Sequence, residues 1–241
     1  MSDRPLDPRR AEIRKIAAEA EKDGHPARWF EKVYATASGD ADAVPWAMER
    51  PNPYLLEWLD DTKTCGDGKS ALVIGCGLGD DAEALAGRGF DVTAFDISET
   101  AIAWCRQRFP NSSVCYQVCD LFACDASWTR AFDFVFESRT VQALPLKLRH
   151  TTIGMVSEFV ADGGTLLVVA NRRDTEAEPD GPPWPLSDSE FKRFEACGLT
   201  EIRRDCFDAN SRPTVRVEYH RVVNGRSSGD EKSPHCPSYN E

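Results

Sequence analysis

The chain has 241 residues, with 29 Lys and Arg set against 40 Asp and Glu, a formal net charge of -11. That balance argues against a nucleic-acid partner, because phosphate backbones are held by clustered Lys and Arg; it fits plain solubility and suits a cationic ligand. No apolar run reaches the roughly 20 residues of a membrane span, the opening "MSDRPLDPRR" has no apolar core to read as a secretion signal, and nine cysteines in such a chain read as reduced cytoplasmic thiols.

In chain order, Asp7 before Pro8 predicts a helix start, and "RRAEIRKIAAEAEKDG" continues it with Ile13, Ile16, Ala17 and Ala20 on one side and Gly24 as a stop. Residues 25 to 54 mix Trp29, Phe30, Tyr34 and Trp46 with Pro, Gly and Asp, which predicts an ordered loop or short helices. "YLLEWLDD" reads as a short amphipathic helix. From Ala71 strands and helices alternate: strand "ALVIG", helix "DAEALAGRG", strand "DVTAFD", helix "ETAIAWCRQRF", strands "VCYQVCD" and "FDFVFES", helix "LKLRHTTIGMVSEFVA", strand "GTLLVVA". Ser187 and Glu190 form a capping box for "EFKRFEACG", and two closing strands lie around "LTEIRRDCF" and "TVRVEYHRVV", joined by a turn at residues 210 to 213. The expected fold is α/β, a doubly wound and mostly parallel seven-stranded sheet, with ligands beyond the carboxyl ends of its strands. The expected organisation is an N-terminal helical lid over residues 1–60, a main domain over 61–223 and a disordered tail over 224–241.

Gly75, Gly77 and Gly79 bring bare backbone to the end of the first parallel strand. The third glycine comes one residue earlier than in the dinucleotide pattern, and Asp80 and Asp81 occupy the helix start where a pyrophosphate needs positive potential. The loop therefore suits a nucleoside without phosphates. "VTAFD" ends at Asp96, placed to accept both hydroxyls of a ribose; "YQVCD" ends at Asp120, placed to accept an exocyclic amine; "FDFVFE" ends at Glu137. Cys115, Cys119 and Cys124 are spaced by four and five residues, unlike the usual zinc pattern, so no metal is expected and the three read as small buried residues beside a strand.

"VIGCGLGDD", "FDISETAI", "VCD" and "FDFVFES" resemble the successive motifs of class I S-adenosylmethionine-dependent methyltransferases over roughly residues 70 to 170. The resemblance implies that Gly75, Cys76, Gly77 and Gly79 hold the methionine portion of S-adenosylmethionine, that Asp96 and Ile97 bind its ribose and that Asp120 and Leu121 flank its adenine, with Glu137 close by. "VPWAMERPNP" and "DGPPWPL" are similar to flanking segments of the thiopurine and thiol/halide methyltransferase group. That likeness implies Trp29 and Trp46 over the sulfonium end, Arg139 near the cofactor and Trp184 beside the substrate. "PWAMERP" and "ESRTVQALP" depart from the plant enzymes of that group, which leaves the acceptor less defined than the family.

Methyl transfer demands mainly alignment. His25, His150, His220 and His235 are the histidines available as bases, none of them convincingly placed, and a thiol needs little help to ionise. The expected activity is therefore S-methylation of a small thiol, with Trp46, Arg139 and Trp184 around the substrate, Arg139 and Gln142 positioning it and S-adenosylhomocysteine as product. Arg172 and Arg173 read as a solvated charge pair or as selectors of an anionic substrate. Oxygen, nitrogen, halide or metalloid acceptors remain alternatives, as do a nicotinamide dehydrogenase and a non-catalytic cofactor-binding module. The expected partner is a small molecule, with no nucleic acid and no membrane, on a monomer or homodimer.

Overall fold

The computed structural model describes residues 8–207 and 213–223. The expected tail, His235 and most of the predicted turn at 210 to 213 lie outside the described residues.

Every strand read from the sequence forms: β1 (Ser70–Ile74), β2 (Asp91–Asp96), β3 (Cys115–Val118), β4 (Phe132–Ser138), β5 (Val160–Asn171), β6 (Leu199–Phe207) and β7 (Thr214–Arg221). They make one seven-stranded sheet in the order β3-β2-β1-β4-β5-β7-β6. β1 to β5 pair in parallel, and β7 runs antiparallel between β5 and β6. The chain winds outward from β1 to β3, then restarts at β4 on the other side of β1. That switch point opens a crevice at the carboxyl ends of β1 and β4.

Alternation along the strands builds two cores. Leu72, Ile74, Phe95, Val135, Leu166 and Val168 face one side with α7 (Arg149–Glu158) and α8 (Asp188–Ala196). Ala71, Val73, Ala94, Phe134, Leu167 and Val169 face the other, under α3 (Pro53–Thr62), α4 (Asp80–Ala86) and α5 (Glu99–Arg108). Both faces are covered, which is why the central strands read as near-continuous apolar runs.

Residues 25 to 54 resolve into α2 (Arg28–Ala37), a 3-10 turn at Ala41–Ala43 and the approach to α3. α1 (Pro8–Lys22) and α2 form a third cluster in which Trp29, Val33 and Tyr34 pack with Leu78 and Ala101 of the main domain. α3 belongs elsewhere: its Leu55, Trp58 and Leu59 join the sheet core. The cluster formed by α1 and α2 thus stops short of α3, inside the 1–60 span read from the sequence as a lid.

The long helix expected over 146 to 161 is shorter. A 3-10 turn at Leu146–Leu148 precedes α7, and Val160 already pairs with Phe132 across a register shift, so the last residues of the expected helix enter β5. The capping box at Ser187 and Glu190 is present. Cys65, Cys76, Cys105, Cys119, Cys124, Cys197 and Cys206 are free thiols. Cys115, on the edge strand β3, is disulfide-bonded, which corrects the all-thiol reading at that position. Cys119 and Cys124 are half-buried, with sulfurs 2.8 Å apart, rather than packed away. Among the described residues no group of three or more His, Cys, Asp or Glu could hold a metal, and no helix is long and apolar enough to cross a membrane.

Candidate active site

The turn between β1 and α4 is shaped by what surrounds it. A Cβ on Gly75 would lie 2.5 Å from Thr140 Oγ1, and one on Gly79, whose φ is 89°, would lie 2.6 Å from the Tyr116 hydroxyl. Neither position accepts a side chain, and Gly79 turns the chain into α4 in the left-handed region. Cys76 N–H donates to the Phe95 carbonyl and Gly77 N–H to Asp96 Oδ2 at 3.0 Å, which holds the turn to the end of β2.

Asp96 is buried and also accepts the Ser98 N–H at 2.9 Å. Burial pushes its carboxyl up to about 6, against the pull of the Ser98, Gly77 and Ile97 N–H groups. Its two oxygens have four lone-pair sites, more than these backbone donors fill, so it keeps capacity for a further hydroxyl. Asp81 accepts the Asn52 N–H at 2.6 Å and is likewise raised by burial to about 6. Asp80 is neutralised by Arg108, whose two terminal nitrogens reach its two oxygens at 2.8 and 2.9 Å. The helix start thus carries two carboxylates, with Arg108 committed to the first and the charge of Arg139 acting on the second.

A cavity of about 570 Å³ runs from this turn across the strand ends, within the size range of small-ligand sites. Trp29, Trp46, Gly75, Cys76, Gly77, Asp96, Ile97, Asp120, Leu121, Arg139 and Gln142, all singled out from the sequence, line it together. Trp46 stands edge-on to Trp29, Phe30 and Tyr34, with ring centroids 5.5 to 5.8 Å away, and its indole N–H donates to the Tyr34 hydroxyl at 2.8 Å. Asp120 caps the short turn at Leu121–Ala123 by accepting the Phe122 N–H, which leaves its second oxygen exposed.

Three sequence-predicted residues do not reach the cavity. Gly79 packs against Tyr116 and Cys105 instead. Glu137 is fully buried behind the strand end; its Oε1 accepts the Val141 N–H at 2.9 Å, and it organises α6 (Thr140–Ala143) rather than facing a ligand. Burial pushes it up to about 7, with the N–H groups of Val141 and Thr140 and the charges of Arg149 and Arg139 pulling down. Trp184 lays its ring over Gly181 and ties its backbone to Gln142 and Arg149, and Pro182 and Pro183 of that loop form the wall in its place.

Arg139 enters the cavity from a left-handed residue with φ 63°, its N–H bonded to the Val169 carbonyl and its Nε without a partner among the described residues. Arg172 binds Asp174 and Asp188, and Arg173 binds Glu190 and the Pro185 carbonyl, so both fasten the loop to α8 and neither selects a substrate. His25 and His150 are exposed, and His220 pairs with Glu218; none of the three lines the cavity.

Reasoning from sequence missed Asn52, Asn171 and Thr214. Asn52 caps α3, donates to Ser138 and holds Asp81 through its backbone. The signal was in "RPNP", an Asn directly before a proline at a helix start. Asn171 ends β5 and Thr214 begins β7, where strand alternation alone marks no function.

The chain matches the family model described as thiopurine S-methyltransferase (TPMT) over residues 38–221. It is 29% identical over 175 residues to "Probable thiol methyltransferase 2" of Arabidopsis thaliana, covering 68% of this chain and 74% of that protein. It is 24% identical over 176 residues to a thiopurine S-methyltransferase of Legionella pneumophila (strain Corby), covering 66% and 78%. In fold it resembles the N-methyltransferase NodS from Bradyrhizobium japonicum WM9, solved with S-adenosyl-L-homocysteine, at a TM-score of 0.62 and 20% identity over 81% of this chain and 97% of that one. A glycine turn followed by two aspartates, a buried acid at the end of β2 and a match over most of the sheet lead to one conclusion: the chain belongs to the thiopurine S-methyltransferase family, and it is an S-adenosylmethionine-dependent methyltransferase.

Proposed function

We propose that the enzyme methylates the sulfur of a small thiol, with the cofactor held along the ends of β1 to β3 and the acceptor over the ends of β4, β5 and β7. The observation that carries this reading is the single cavity, which joins Gly75, Asp96 and Leu121 at one end to Arg139, Asn171 and Pro183 at the other. Asp96 would take the ribose hydroxyls, Asp120 and Leu121 the adenine, and the Gly75 to Gly77 backbone the amino-acid end. Trp29 and Trp46 would cover the sulfonium, a cation over aromatic faces being worth about 0.5 to 2 kcal/mol. When bound, S-adenosylmethionine supplies a methyl group already activated by its sulfonium.

What the chain then provides is alignment, and no described histidine lines the cavity to serve as base. A thiol of ordinary pKa near 8.5 is a few per cent ionised at neutrality and needs no such base, whereas an aliphatic alcohol does. Arg139 favours the ionised form by proximity. The names of the Arabidopsis and Legionella relatives support sulfur as the acceptor atom. α1, α2 and the Trp46 segment act as the lid over this cavity. A screen of low-molecular-weight thiols, hydrogen sulfide, halides, phenols and amines, read as S-adenosylhomocysteine formed, tests the assignment. Thiols should lead by at least tenfold in kcat/KM; a leading phenol or amine refutes it.

A further inference from the structure

Two thiols at the adenine end of the cavity take no part in the reaction proposed above. Cys119 lies just past β3 and Cys124 just past the turn at Leu121–Ala123, so the pair brackets the segment that carries Asp120 and Leu121. Their sulfurs stand 2.8 Å apart, and each is within hydrogen-bonding reach of the Asp120 carbonyl, at 3.4 and 3.3 Å. The Cys119 N–H donates to the Asp96 carbonyl at 3.0 Å, which ties the same segment to the end of β2. Cys119, Asp120, Leu121 and Phe122 line the cavity, whereas Cys124 does not.

Both side chains are half-buried, so a small reagent entering the empty cavity can reach them. The hydrogen bond from Cys124 lowers the Cys119 thiol below its ordinary value, against burial and the charges of Asp120 and Asp125. The thiolate is the nucleophile in disulfide exchange, so Cys119 is the attacking sulfur and Cys124 the resolving one. Cys76, the other described thiol on the cavity wall, is pushed the opposite way by its hydrogen bond with Cys105 and by burial.

We propose that Cys119 and Cys124 form a reversible disulfide that weakens cofactor binding, a thiol switch built into the adenine turn and set by small disulfides. The proposal rests on the adenine placement given above and goes beyond it to regulation. The Cys119 thiolate attacks one sulfur of a low-molecular-weight disulfide, releasing one thiolate and leaving a mixed disulfide. The Cys124 sulfur, its proton passing to water, then attacks Cys119 and expels the second thiolate. The protein pair is thereby oxidised by two electrons, and one small disulfide is reduced to two thiols. The new bond removes both S–H donors from the Asp120 carbonyl and draws the two ends of the turn together. That shift reaches Asp120 and Leu121 directly, and Asp96 through the Cys119 N–H. By linkage, bound cofactor must disfavour the bond by the same factor that the bond disfavours cofactor.

The test uses the full chain equilibrated in glutathione buffers from fully reduced to fully oxidised. Differential alkylation with peptide mass mapping should find Cys119 joined to Cys124 in the oxidising buffers. Calorimetric titration should show S-adenosylhomocysteine affinity at least tenfold lower in that protein and restored by dithiothreitol. Saturating S-adenosylhomocysteine should slow formation of the bond at least fivefold. Cys119→Ser removes the attacking sulfur, so its affinity should be the same in every buffer; effects of the Cys115 bond or of the other thiols persist in this variant and are separated by it. Cys124→Ser removes the resolving sulfur, so glutathione should accumulate on Cys119. Absence of the Cys119–Cys124 bond in oxidising buffers, or a bond that leaves affinity unchanged, overturns the proposal. So does a wild-type loss of affinity in oxidised Cys119→Ser, or a Cys119 left free in oxidised Cys124→Ser. Failure of the adenine placement shows separately, as unchanged affinity of the reduced Asp120→Ala protein, and overturns the proposal from that side.

Discussion

Asp96 carries two backbone N–H groups on a carboxylate held near pH 6 by burial, and it is the residue on which cofactor binding should depend most directly. Asp96→Ala should weaken S-adenosylhomocysteine by at least tenfold in a calorimetric titration, since hydrogen bonding to a charged acceptor is lost. The pH dependence has a definite sign. The ionised form accepts from the ribose, so affinity should fall as pH drops through about 6, and Asp96→Asn should bind more weakly with a flat profile. An unchanged affinity in Asp96→Ala refutes the cofactor placement. This residue was legible from sequence because it ends a parallel strand beside a glycine turn. Glu137 has the same pattern but is not a ligand group: its strand end is overlaid by α6, whose backbone it satisfies. A strand-end acid is recognisable in sequence, yet which of two burial environments it meets depends on the following turn. Thr214 left no trace in the sequence, because the Asn171 amide that donates to it lies 43 positions away.

Among the elements, α2 is joined to the sugar side of the site by one carboxylate. Glu31 accepts from Ser98 Oγ, Thr100 N–H and Thr100 Oγ1 at 2.6 to 3.1 Å. Burial pushes Glu31 up, but those hydrogen bonds outweigh it and hold the carboxyl below its ordinary range. A depressed folded pKa means that the contribution is present above the ordinary carboxylate range and is lost in stronger acid. Glu31→Ala should therefore loosen the covering segment at neutral pH, seen as faster amide exchange in α1 and α2 with the sheet unchanged. Trp46→Ala should lower S-adenosylmethionine affinity severalfold more than it lowers stability, because Trp46 is half-buried at the cavity wall. Trp29, 4% exposed and stacked on Phe30, should cost about 3 to 5 kcal/mol of stability when cut to Ala. Equal losses of binding and stability in Trp46→Ala would remove the case for a lid. Sequence marked the region as an ordered loop or short helices from its aromatics but did not place α2 within it, since that helix carries no capping side chain at its start.

For the whole molecule, Asp81, Asp96 and Glu137 hold their protons more tightly folded than unfolded. Between about pH 4 and 7 the native state binds more protons, so stability should fall as pH rises through that window. The melting temperature of the cofactor-free protein should be several degrees lower at pH 7.5 than at pH 5, and Glu137→Gln should flatten the upper part of that slope. A rise over the same interval refutes the assignment. The doubly wound, mostly parallel sheet followed from the strand–helix alternation, because that is set by local periodicity and handed crossovers, whereas the strand order was not read from the sequence. The far end of the cavity was legible only in part: Arg139 and Gln142 were singled out, but Asn171, Thr214 and the Pro182–Pro183 wall were not, because the meeting of β4, β5, β7 and the Pro182 loop is a property of the closed fold.

The acidic start of α4 has a bearing on selectivity inside a crowded cell. Adenosine esters of phosphoric acid share the sugar and base of the methyl donor and compete for the same grip on them. Their charged chains would meet Asp80 and Asp81 at the start of α4, with Arg108 committed to Asp80 and the charge of Arg139 acting on Asp81. On the proposed placement of the methyl donor, that acidic pair would disfavour a 5′-phosphate by charge rather than by shape.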